Sequence, residues 1–408
     1  MSLYAFEKLL PAPPMEVPKD LTDEQINEKY ESGEVRIITE QGAIKLSLVK
    51  NLFSSDNYQL HPEFQRRITW DDKKRSRLIE SFIMNIPVPP VFIYETEFNK
   101  YQVMDGLQRL STIIAFYSDD FQLTGLNDWP ELNGRTYSTL PKKIKEGIDR
   151  RQISVITLLK ESSKSPEQAE QMKKMVFERL NTGGITLKEQ EIRNALYDGP
   201  FNKKCIALSS YLTFKKLWGI ESIIEKTEDS SSQVDLPEDI DYIDNAYTYV
   251  KNRLYNRMYD VELVLRYFAM RHIDLYPGNL SEFLDRCLRS GNNYKPEDLS
   301  TLENCFISNM NKALCLFDNK AFCQYNTNRS NWSSPQKMIY DAMTITLDSI
   351  TVDISSVDQE KNIELLKHFY HEHELDFNGK KQSRSDILNR VALLRCFVSG
   401  LKGVTLND

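Results

Sequence analysis

Residues 101–117 read YQVMDGLQRLSTIIAFY, and the fold of the first half of the chain turns on this stretch. Tyr101 to Met104 is a short apolar run of strand character, followed by the turn pair Asp105-Gly106. From Leu107 the period changes. Leu107, Leu110, Ile113, Ile114 and Tyr117 share one side of a helical wheel, so the spacing predicts a helix over 107–117. Asp105 has the chemistry of an N-cap, since its carboxylate can accept from the orphan amides of a first helical turn. Gly106 leaves room for another group to approach the backbone. Gln108 and Arg109 fall off the apolar stripe, in that first turn. Free amides, the positive end of the helix dipole and an arginine then meet at one point, which is an anion site in physical terms. The plain alternative is a capped helix with a solvated arginine, and the spacing leaves both readings open.

Upstream, Ala43–Val49 alternates and predicts a strand, and residues 57–70 predict a loop around Pro62. That loop ends in HPEFQRRITW, residues 61–70, where Phe64 and Trp70 flank Gln65, Arg66 and Arg67. Aromatic anchors holding basic side chains toward a ligand would explain it, as would a loop pinned by two aromatics with incidental charges. A helix is predicted from Asp71 or Asp72 to about Asn85. Its apolar stripe is Leu78, Ile79, Phe82 and Ile83, and its outer face is Lys73, Lys74, Arg75 and Arg77. Val91–Tyr94 and Arg151–Leu159 predict strands. A helix over 166–180 would stop at Asn181-Thr182-Gly183-Gly184, followed by another over 187–197, rich in polar residues around Glu189, Glu191, Arg193 and Asn194. Beyond Pro200 strand signals fade and helical stripes dominate, apart from a polar loop over 225–238. The resulting division is an extended, proline-bearing arm at 1–34 (Pro11, Pro13, Pro14, Pro18) that could wrap a neighbour, an α+β domain of mixed sheet and helices at 35–200, and an all-helical domain at 201–408.

Composition sets outer bounds. The chain has 408 residues, 40% apolar and 27% charged, with a formal net charge of −7. That is ordinary globular usage, and it excludes a uniformly cationic nucleic-acid surface while allowing a local basic patch. No apolar run is long enough to span a bilayer, and residues 1–20 lack the pattern of a secretory signal, so the expected location is the cytoplasm, with no membrane partner. Six cysteines without a CxxC pair read as idle thiols in a reducing compartment. There is no Gly-rich loop ending in Lys-Ser/Thr, no Gly-x-Ser-x-Gly and no HExxH. The segment KHFYHEHELDF, 367–377, puts His368 and His371 close together on a helix, but it reads as a solvated helix, and no metal site is expected.

Taken together, Gln65-Arg66 with Trp70, the prolines at 87–90, Asp105 to Arg109, and Phe177 to Gly184 followed by Glu189 to Asn194 resemble one family. It is the ParB-like domain at the N-terminus of the GmrSD type IV restriction enzymes, whose motif is of the Asp-Gly-Gln-Gln-Arg (DGQQR) type. The resemblance covers roughly residues 35 to 210. It implies a ParB/sulfiredoxin-like fold and binding of a nucleoside triphosphate, with Mg2+ as companion and hydrolysis as an associated activity. It also implies service in bacterial DNA restriction or antiphage defence. By position, the nucleotide-binding set is Gln65, Arg66, Asp105, Gly106, Gln108, Arg109, Arg179 and Asn181, with Asp105 and Gln108 as the catalytic candidates. Arg67, Lys73, Lys74 and Arg77 are the candidates for contact with nucleic-acid phosphates, the alternative being a solvated helix face. One position departs from the motif: where the family has its first Gln, this chain has Leu107. No HNH constellation is evident in the C-terminal half, so the implied partners are a nucleotide, DNA and a separately encoded nuclease or methyltransferase. A non-catalytic DNA-binding regulatory module and a ParB-like nuclease are the alternative functions.

Overall fold

A computed structural model describes residues 3–11, 22–31, 37–59, 70–160, 169, 172–176, 179, 189–220, 253–256, 258–327, 329–377 and 383–407. The predicted loop residues Gln65, Arg66 and Arg67, the turn with Asn181, and the polar loop at 225–238 lie outside these. The chain divides into two units. One comprises residues 14–188 with 245–249, and the other comprises 1–13, 189–244 and 250–408.

The first unit is built on a mixed sheet. Its strands are β1 (Thr39–Lys45), β2 (Tyr58–Gln59), β3 (Val91–Glu97), β4 (Lys100–Asp105) and β5 (Gln152–Leu158), in the order β1-β5-β3-β4-β2. β1 runs antiparallel to β5, β5 parallel to β3, β3 antiparallel to β4, and β4 parallel to β2. One face carries helices α2 (Leu46–Phe53), α3 (Asp72–Ile83), α4 (Leu107–Tyr117) and α5 (Lys142–Asp149). Their apolar stripes meet Val91, Ile93, Val103, Ile153 and Val155 in one buried cluster that includes Phe82, Leu110, Ile113 and Phe116. Each such side chain, fully buried, contributes roughly 1.5–3 kcal/mol. Helix α1 (Asp23–Glu31) lies inside what the sequence suggested was an extended arm.

Two departures from the expected elements have local causes. The strand expected over 43–49 ends at Lys45, where the chain turns into α2. Leu46, Val49 and Phe53 are spaced three and four apart and are all buried, so the helical period wins once the segment has a core to face. Helix α5 was not anticipated, because only Ile144 and Ile148 mark its inner side among lysines.

The second unit is mainly helical. It holds α6 (Glu189–Leu196), α7 (Pro200–Leu208), α8 (Leu212–Trp218), α9 (Arg253–Asn256), α10 (Tyr259–Met270), α11 (Leu280–Gly291), α12 (Pro296–Phe317), α13 (Lys337–Asp348), α14 (Gln359–Glu372) and α15 (Arg384–Ser399). It is not all-helical as expected. Tyr325–Asn326 pairs with Asn331–Trp332, and Ile350–Val352 pairs with Val404–Leu406, each antiparallel. These runs are two and three residues long, too short for a period to register in sequence. Residues 3–11 also belong to this unit. Among the described residues no helix is long and apolar enough to cross a membrane, and the cysteines are free.

Candidate functional site

The segment 101–117 folds as strand, turn and helix, but the cap is not the one expected. Asp105 is the last residue of β4, and the N-cap of α4 is Gly106, at φ 99° and ψ 7° in the left-handed region. The Gly106 carbonyl accepts the first helical bond from the Leu110 amide at 2.9 Å, and no side chain caps the turn. The reason is competition. The Asp105 carboxylate is taken by Arg109, whose Nη2 donates to Oδ2 at 2.9 Å and to the Pro90 carbonyl at 3.0 Å. Both bonds are charge-assisted, but the guanidinium adds the attraction of a full opposite charge that an amide lacks. The first-turn amides of α4 are thus left without a side-chain cap, which is the condition for an anion cradle.

Gly106 is required by space as well as by φ. A Cβ there would lie 2.8 Å from Val91 Cγ2 and 3.1 Å from Arg109 Nη2, so the arginine folds back across the glycine. The Arg109 side chain is 15% exposed and Asp105 41%. Among the described residues, two polar atoms in this turn are buried without a hydrogen-bond partner: Gln108 Oε1 and Arg109 Nε. One is an acceptor and the other a donor, and buried polar groups of this kind ordinarily find partners. Leu107 is half-buried and packs against the apolar cluster, on the core side.

Helix α3 supplies the neighbouring layer. Asp71 caps it by accepting from the Lys74 amide at 2.8 Å. Lys73, Lys74 and Arg77 are exposed, and their side chains form no ion pair among the described residues. Arg75, on the same run, is spent internally: its guanidinium sits 4.9 Å from the Phe121 ring centroid and bonds Asp72 at 3.2 Å. Sequence reasoning missed the inner side of this helix. Ser76 Oγ accepts from the Thr124 amide, and Glu80 Oε1 accepts from the amides of Asp128 and Trp129 at 2.9 and 3.0 Å. The only signal was a Ser and a Glu four apart beside the apolar stripe. At the other end of α4, the hydroxyls of Tyr117 and Tyr137 both donate to Asp149. Burial, with Asp149 beside it, pushes the Tyr137 hydroxyl up to about 12 and Tyr117 higher, so both remain donors across the ordinary pH range.

Arg179 is helical and exposed. Gln65, Arg66, Arg67 and Asn181 are outside the described residues, so the structure unites Asp105, Gly106, Gln108 and Arg109, and of the rest of the expected nucleotide-binding set it describes Arg179 alone. Among the described residues no three His, Cys, Asp or Glu side chains are grouped to hold a metal ion.

Fold and site together describe an α+β domain with an uncapped helix N-terminus backed by an arginine–aspartate pair. Residues 49–197 match the family model described as GmrSD restriction endonuclease, N-terminal domain. The match begins inside α2 and ends just after α6. It points to a component of a restriction-type defence system. Comparison with curated proteins gives no match, and comparison with solved structures gives none.

Proposed function

We propose that this chain is a nucleotide-binding component of a bacterial DNA-restriction or antiphage system, with the phosphates of a nucleoside triphosphate seated on the first turn of α4. The observation that supports it is the pair of buried atoms, Gln108 Oε1 and Arg109 Nε, which have no hydrogen-bond partner among the described residues and lie beside uncapped amides. A phosphate oxygen accepts from Arg109 and the amides. A water hydrogen-bonded to that phosphate donates to Gln108 Oε1, which is the role of a residue that orients an attacking water. Asp105 holds Arg109 in position. Mg2+ fits here as a companion of the phosphates, since Asp105 is a single carboxylate with one oxygen already engaged. Gln65, Arg66, Arg179 and Asn181 complete the pocket in this reading.

Isothermal titration with ATP and GTP tests it. Wild type binds at least one, and Arg109→Ala loses about 1.5–3 kcal/mol, roughly ten- to a hundredfold in affinity. Equal affinity in a variant with an unchanged circular-dichroism melt sinks the proposal.

A second contact, to DNA backbone, is supported by the exposed Lys73, Lys74 and Arg77 on α3, which form no ion pair among the described residues. Cutting would then fall to a separately encoded nuclease, the other separately encoded partner in this reading being a methyltransferase. Removing these three charges flattens the salt dependence of DNA binding by about 0.9 for each phosphate no longer neutralised. DNA degradation by the pure chain with metal would favour the ParB-like nuclease instead.

A further inference from the structure

Leu3–Pro11 forms neither helix nor strand, yet it belongs to the helical unit. Its own backbone closes two short-range bonds, from the Glu7 amide to the Tyr4 carbonyl and from the Lys8 amide to the Phe6 carbonyl. Side chains far away in sequence supply others. Ser290 Oγ accepts from the Leu10 amide at 2.8 Å, and Arg286 Nε donates to the Leu10 carbonyl. Polar side chains of α11 therefore read main chain, as a peptide-binding surface does.

Glu7 is the anchor. Its side chain is 2% exposed and receives Arg271 in a two-pronged bond, Nη2 to Oε1 at 2.7 Å and Nε to Oε2 at 2.9 Å. Arg271 is set by the helical unit itself: Nη1 donates to Asp348, whose other oxygen accepts from Asn309 at 3.1 Å. One edge of the guanidinium is thus fixed by α13 and the other meets a carboxylate from the segment. Phe6 and Tyr294 meet in a T-shaped pair, centroids 5.6 Å apart, and Tyr4 stacks on Phe6 at 5.4 Å. The outward side stays wet, with Leu3, Tyr4 and Leu10 at 40–42% exposure. One deep acidic anchor, aromatic contacts and main-chain bonds at one end are the attributes of an extended-peptide site, where a few residues carry most of the affinity.

We propose that the helical unit carries a recognition groove for an extended aromatic segment anchored by one glutamate, that Leu3–Pro11 fills it in cis, and that the groove binds the same segment supplied in trans. This does not depend on the nucleotide reading. To test it, a site-specific protease sequence is placed within residues 14–20 of the full chain, and the protein is folded and then cut. A fluorescent peptide of residues 1–13 is added and followed by anisotropy. The cut protein takes up the peptide, the uncut protein binds it at least about tenfold more weakly, and a peptide carrying Glu7→Gln is weaker by about tenfold or more on the cut protein. Three results overturn the proposal: loss of the segment on cutting with no rebinding, retention of the native segment with no exchange over days, or equal binding of the Glu and Gln peptides.

Discussion

At the scale of the residue, the candidate site depends on a glycine that no other residue replaces. Gly106 is held at φ 99°, and a Cβ would meet Val91 and the Arg109 guanidinium. Gly106→Ala is expected to cost about 1–2 kcal/mol for the left-handed backbone alone, and more from the contacts. The guanidinium must move, so nucleotide affinity falls along with the melting temperature; a variant that melts lower but binds as wild type would separate the glycine from the site. Leu107 gives the opposite case. It packs on the apolar cluster beside the polar turn, so it belongs to the core and leaves Gln108 and Arg109 in place. Leu107→Gln is expected to lose about 1–3 kcal/mol of stability and to raise phosphate release without tightening binding. Loss of stability with no gain in rate would show that the position serves packing only. The sequence disclosed the residue types here but not their pairing. Asp105 looked like a cap because a cap needs only an oxygen at the right position. That Arg109 would claim it first depends on the Pro90 carbonyl, nineteen residues away and invisible to local spacing.

At the scale of the element, helix α3 shows what periodicity reveals and what it hides. Its limits and apolar stripe were legible, as was α4 from Leu107 to Tyr117, because strong periods with clear stops determine such helices. Its second task was not legible. Ser76 and Glu80 are buried polar residues that hold the segment 121–135 by its backbone amides. Glu80→Ala removes the carboxylate that accepts from the amides of Asp128 and Trp129, and each hydrogen bond to a charged group contributes about 1.5–3 kcal/mol. Hydrogen exchange should quicken across 121–135 while α4 keeps its protection, and Glu80→Gln, which retains an acceptor oxygen, should recover much of the loss. Uniform loss of protection across the whole unit would mean that Glu80 supports the core and not the loop in particular. The strand expected at 43–49 failed for the converse reason. Over seven residues, alternation and helical spacing overlap, and only the buried face that the segment finds decides between them.

At the scale of the molecule, the restriction-enzyme domain match and the structural units do not end at the same residue. The match runs to residue 197, whereas α6 is part of the helical unit, which takes up the chain again at Glu189. The attachment is through Arg193, 3% exposed, which donates to Asp285 at 2.7 Å and to Ser281 at 2.7 Å, meets Glu189 at 3.1 Å and lies 3.7 Å from Glu262. Gln190 and Asn194 on the same helix are fully buried and bonded to each other at 2.8 Å. The polar density that the sequence shows in this helix is therefore largely the inside of a charge network. Helix α6 has eight residues, well below the length at which a helix is stable in water by itself. A fragment ending at Tyr197 should thus keep the sheet and α4 but leave 189–196 unprotected in hydrogen exchange. In the full chain, Arg193→Ala takes the guanidinium away from the Asp285 carboxylate and leaves Glu262 to Lys337, and removing one member of such a buried network costs roughly 3–5 kcal/mol. The melt of the helical unit should drop while nucleotide titration at α4 is unchanged. Full protection of 189–196 in the fragment would show that the helix folds with the sheet, and weakened nucleotide binding in Arg193→Ala would return this helix to the site.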